Sequence, residues 1–141
     1  MKFVAAIAFV ILVAVAQAQQ DESHKKAAEN MRQCAIETGT TKEAATRLRR
    51  GDFTDADDNA KCFIRCFFKR AGFLNDNEEI QKDIMISKLG GNEGSHEKKV
   101  EAINKCALET GANNCEHAYN VYKCFRTEIP VPADYGRPTP A

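Results

Sequence analysis

The chain has 141 residues, with 20 Lys and Arg against 20 Asp and Glu, six cysteines and no tryptophan. A net charge of zero leaves no electrostatic footprint for nucleic acid or for an anionic membrane. An even cysteine count in so short a chain suggests a disulfide framework, provided that the protein reaches an oxidising compartment.

The N-terminus supplies that condition. Lys2 is the only charge before Asp21, an apolar run extends from Phe3 to Val15, and Ala16-Gln17-Ala18 has the small-x-small form of a cleavage site. The run is shorter than the roughly 18 apolar residues that span a bilayer. Residues 1–18 are therefore read as a secretory leader and the protein as extracellular. The mature chain keeps 123 residues (141 minus 18), enough for one domain with a single core.

The mature chain is patterned for helices, with no clean alternation of period two. A first helix is expected over about 22–37, with Ala27, Met31, Cys34 and Ala35 on one side and Gly39 as its stop. Thr41 is placed to cap a short second helix ending at Gly51. The third runs from about Asp57 to Ala71 and stops at Gly72. Its Lys61, Arg65 and Lys69 recur every four residues as the wet stripe, while Ala60, Phe63, Ile64, Phe67 and Phe68 cover the rest. A fourth is expected over about 79–89, with Ile80, Ile84 and Met85 inward, broken by Gly90 and Gly91. Ser95 caps a fifth over 97–109, with Val100, Ile103 and Cys106 inward and Gly111 as terminator. Asn114 caps a sixth over 115–127, which Pro130 ends. The fold class is thus all-α, a bundle of about six helices over 19–128 with a Pro-rich tail over 129–141.

The cysteines stand at Cys34, Cys62, Cys66, Cys106, Cys115 and Cys124. Six cysteines allow fifteen pairings. Cys115 and Cys124 are nine residues apart on one helix, a rise of about 13.5 Å, beyond the reach of a disulfide. Cys62 and Cys66 share one helix face with nearly parallel side chains. Three pairings contain the first of these couples, three the second and one both, so five drop out and ten stay open. A Cys-x3-Cys with no second close pair and no His pair fits zinc poorly, and no other metal or cofactor site is expected.

The spacing Cys34-x27-Cys62-x3-Cys66-x39-Cys106-x8-Cys115-x8-Cys124, after a leader and on a helical pattern, resembles the insect odorant-binding protein family of pheromone-binding and general odorant-binding proteins. Thr38-Gly39 and Gly51-Asp52-Phe53 resemble its members too. The resemblance implies three interlocked bridges, Cys34–Cys66, Cys62–Cys115 and Cys106–Cys124, around an internal apolar cavity. It implies a carrier of small hydrophobic molecules (odorants, pheromones or fatty compounds) that solubilises them and delivers them to a membrane receptor as a monomer or weak homodimer. The same scaffold serves outside smell as a lipid carrier or scavenger. A filled bundle whose helix faces bind a protein partner is the competing reading.

The expected wall comes from inward helix faces. It comprises Ile64, Phe67 and Phe68 on the third helix, Ile84, Met85 and Leu89 on the fourth, Val100 and Ile103 on the fifth, and Ala118, Tyr119, Tyr122 and Phe125 on the sixth. By resemblance, positions matching Tyr122 and Phe125 face the ligand. Hydroxyls of Tyr119 and Tyr122 are candidate polar anchors, which favours alcohols, aldehydes or esters. Ile129, Val131 and Tyr135 are candidates for an extended lid. His96 and His117 fall in first helical turns, where protonation opposes the helix dipole and points to ligand release on acidification. No enzyme motif is present: neither Cys-Cys-x-x-His-x-x-Cys, His-Glu-x-x-His nor Gly-x-Ser-x-Gly occurs.

Overall fold

Capping chemistry sets where the helices begin. A computed structural model describes residues 22, 25–89 and 96–131, with six helices among them. The expected leader, the Gly90–Gly91 break, the Ser95 cap and the tail beyond Val131, Tyr135 included, lie outside the described residues. Helix α1 covers residues 25–38. Helix α2 is Lys42–Arg49, and its Thr41 Oγ1 accepts from the Ala44 amide at 3.1 Å. Helix α3 is Asp58–Ala71, where the Asp57 carboxylate accepts from the Ala60 amide at 2.8 Å. Each cap satisfies an amide that the first turn leaves without an intrahelical partner. Gly72 closes α3 in the left-handed region at φ 83°, a conformation that costs other residues strain.

Helix α4 is Lys82–Leu89, three residues shorter at its start than the sequence suggests. Residues 73–81 are drawn into a small antiparallel turn instead. Leu74 bridges to Ile80, and the Gln81 amide donates to the Phe73 carbonyl at 2.8 Å. The Asn75 side chain accepts from the amides of Asn77 and Glu79, which holds the turn in place of another helical turn.

Helix α5 is His96–Cys106 and ends three residues before Glu109. Its last turn tightens, with the Leu108 amide donating to the Lys105 carbonyl and Glu109 to Cys106. Helix α6 is Asn114–Glu128, and its cap is Asn113, not Asn114: the Asn113 Oδ1 accepts from the Glu116 amide at 2.9 Å. Gly111 lies so close to this start that a Cβ there would stand 2.4 Å from the His117 nitrogen.

The spine of the fold is α3 packed along α6, with α5 against α6, α4 against α5 and α2 against α3. Cys34–Cys66 ties α1 to α3, Cys62–Cys115 ties α3 to α6, and Cys106–Cys124 ties α5 to α6. Their Cα separations are 5.6, 4.6 and 5.5 Å. This is the pairing that the resemblance implies. Phe63, Ile103, Cys106, Ala118 and Val121 form the tightest core, each no more than 1% exposed. Of the charged stripe on α3, Arg65 and Lys69 both pair with Glu78, and Lys61 lies over the Tyr119 ring. That stripe is engaged with the rest of the fold rather than merely wet.

Candidate functional site

Beside that core, with Phe63 on the boundary, the bundle is hollow. A cavity of about 180 Å³ lies among α1, α3, α4 and α6. Ile64, Phe67 and Phe68 face it from α3, Met85 and Leu89 from α4, and Tyr122 and Phe125 from α6. Those seven come from the wall expected from sequence. Ala27 and Met31 of α1, Phe63 of α3, Phe73 of the α3–α4 turn, Arg49 of α2 and Arg126 of α6 complete it. A groove of about 310 Å³ adjoins the cavity and shares Ala27, Phe67, Phe73 and Leu89 with it. Lys26, Arg70 and Lys88 border that groove.

The other seven expected wall residues stand elsewhere. Ile103 and Ala118 are sealed in the solid core at 1% and 0% exposure. Val100 is half-buried on α5. Ile84 is 37% exposed and lies over Gly72. Tyr119 is buried against Phe53 and outside the cavity lining, their rings 5.7 Å apart edge to face, and that burial raises its phenol pKa. Ile129 lines a separate, largely polar recess with Ala102 and Lys105. Val131 lies beside Gly51. His96 is exposed, His117 is half-buried on α6, and neither reaches the cavity.

The aromatic wall is built of edge-to-face contacts. Phe68 meets Phe73 at 5.5 Å and Tyr122 at 6.3 Å between ring centroids, geometries favoured by the ring quadrupoles. The Tyr122 hydroxyl donates to the Leu48 carbonyl at 2.8 Å, so its proton is committed to the end of α2. It accepts in turn from Arg126 Nε at 3.3 Å. The Arg126 guanidinium carbon lies 5.5 Å from the ring centroids of both Tyr122 and Phe125. The polar function facing this cavity is thus guanidinium more than phenol.

The turn that carries Phe73 also carries a charge clamp. Glu78, at φ 62°, receives Arg65 Nε at 3.1 Å and Lys69 Nζ at 2.9 Å. The Arg65 hydrogen bond, reinforced by Lys69, holds the Glu78 carboxyl below the usual carboxylate range. The clamp fastens the 73–81 turn against α3. Among the described residues no cluster of His, Cys, Asp and Glu could hold a metal ion, and no helix is long and apolar enough to cross a membrane.

The family model described as the PBP/GOBP family matches residues 16–128. The chain belongs to that family. Among PBP/GOBP relatives it is similar to general odorant-binding protein 56a of Drosophila melanogaster, 37% identical over 112 residues, 79% of each chain. Among solved structures it is similar to the fatty acid binding protein OBP56a from the oral disk of the blowfly Phormia regina. There the identity is 30% and the TM-score 0.62, over 76% of this chain and 91% of that one. Odorant binding protein 5 of Apis mellifera shares the fold, with a TM-score of 0.68 at 21% identity over 78% of this chain and 91% of that one.

Within this PBP/GOBP fold, the wall residues that sequence reasoning left out carried different signals. Ala27, Met31 and Phe63 sit on apolar stripes visible in the sequence, but nothing there distinguishes a cavity wall from packed core. Phe73 comes directly after the Gly72 helix stop and looks like loop. Arg126 stands four residues after Tyr122 and so shares its helix face, a signal that an apolar filter discards.

Proposed function

We propose that this protein is a secreted carrier that takes up one small hydrophobic molecule in the α1–α3–α4–α6 cavity, keeps it in solution and releases it at a receptor. The observation that carries the reading is the hollow, aromatic-lined space beside a tightly packed, cross-linked core. A cavity of about 180 Å³ is close to the roughly 150 Å³ that accommodates a single aromatic ring. Longer guests extend along the adjoining groove, past Phe73 and Leu89. Apolar burial supplies the affinity, about 0.8 kcal/mol per methylene, less the entropy lost on association. Micromolar affinity, rising with chain length until the space is full, is the result of that balance.

Membership of the odorant-binding family and the fatty acid binding relative support the same reading. Olfactory and non-olfactory carriers would use this cavity alike, and tissue of expression separates them. A partner-binding bundle with a filled interior accounts less well for the space beside Phe68. The test is titration with an apolar fluorescent probe, N-phenyl-1-naphthylamine, and then displacement with aliphatic ligands of increasing length. Saturable uptake of one probe per chain is expected. No saturable uptake would remove the carrier reading. Native mass spectrometry of the protein from its source secretion would show whether the chain begins near Gln19, and whether it is a monomer or a weak homodimer.

A further inference from the structure

Resting on the carrier reading, we propose that Arg126 reads the head group of the guest and makes the cavity selective for carboxylate-bearing chains over neutral ones of equal length. The described lining contains two guanidinium groups, Arg49 and Arg126, and no carboxylate. Arg126 makes no ion pair among the described residues. Its side chain donates one hydrogen bond there, from Nε to Tyr122, out of the five N–H groups that a guanidinium carries. A cation facing an apolar space is costly to cover with an uncharged guest, because the guest removes its water and returns nothing. A carboxylate returns a charge-assisted, two-pronged hydrogen bond.

Arg126 is also preorganised for that role. Tyr122 anchors it to the Leu48 carbonyl, and the Tyr122 and Phe125 rings hold the guanidinium by cation–π contact. The cations bordering the adjoining groove are less suited. Arg70 pairs with Glu37, Lys88 donates to the Ala71 carbonyl and lies over Phe73, and Lys26 is exposed to water. The geometry therefore places the head at α6 and lets the alkyl chain run between Phe68 and Leu89 toward the groove.

The experiment compares dodecanoic acid with methyl dodecanoate at pH 7, each displacing N-phenyl-1-naphthylamine from the disulfide-bonded protein. The acid is expected to bind at least about tenfold more tightly than the ester. Arg126→Gln is expected to weaken the acid about tenfold and leave the ester within about twofold, while Arg126→Lys keeps part of the preference. Equal affinities in the parent protein would overturn the proposal and leave the carrier reading standing. So would a preference that survives in Arg126→Gln. Absence of saturable probe uptake would instead remove the carrier reading, and the proposal with it. A second measurement needs no variant: carbon NMR of carboxyl-labelled dodecanoic acid. Its bound carboxyl should ionise at lower pH than a carboxyl buried without a cation, below its value in water; a raised value would overturn the assignment.

Discussion

The two halves of α6 have the same periodicity and opposite surroundings. Ala118 and Val121, in the first half, are completely buried between α3 and α5. Tyr122, Phe125 and Arg126, one turn further on, face open space. The partners make the difference. The first half packs against α3 and α5, with Cys62–Cys115 fastening its first turn to α3, while Cys106–Cys124 fastens α5 to the second half on another face. The second half looks toward α4, which contains no cysteine, and toward Ala27 and Met31, which precede the Cys34 bridge by one to two turns of α1. The hollow opens where α3 and α6 face α4 and the early turns of α1, stretches in which no cysteine stands. That arrangement lets a cavity exist without loosening the whole fold, since the contacts forfeited around a void are offset elsewhere.

Removing a link should break this division most severely. Replacing Cys62 and Cys115 together by alanine opens a loop with a sequence separation of 53 and should cost about 4 kcal/mol in chemical denaturation. A cost under about 1 kcal/mol would mean that the solid half holds itself. Truncation next separates the two halves. Ile103→Ala should destabilise by about 2–5 kcal/mol with probe affinity unchanged, because Ile103 is 1% exposed and outside the cavity. Leu89→Phe should do the reverse, shifting stability by less than about 1.5 kcal/mol while lowering probe affinity several-fold by filling the space. If both variants moved stability and affinity together, the two regions would be one.

The smallest effect concerns the Glu78 clamp. Glu78→Gln should cost about 1 kcal/mol at pH 7, after allowance for solvent screening of Arg65 and Lys69. Because the Glu78 pKa is lowered on folding, the clamp's contribution is fully present above the ordinary carboxylate pKa and is lost as pH falls through the lowered value. The difference in stability between parent and variant should therefore be the same at pH 7 and pH 5 and shrink toward pH 3. A difference that already vanishes at pH 5 would mark the turn carrying Phe73 as a release device for mildly acidic conditions.

The amino-acid sequence by itself determined the helices, because capping side chains, glycine stops and apolar stripes act over a few residues: Thr41, Asp57 and Gly72 do in the fold what their chemistry requires locally. The cysteine spacing narrowed the cross-links and, with the resemblance it carries, pointed to the family. Only the tertiary structure decided which apolar faces close on one another and which leave room. Ile103, Ala118 and Phe125 read alike in sequence, yet two are sealed in the core and the third borders the cavity. A wall and a core are the same surface until the opposing helix is placed. The position of α4 depends on the 73–81 turn, the Glu78 clamp and packing against α5, which join residues that no local pattern connects.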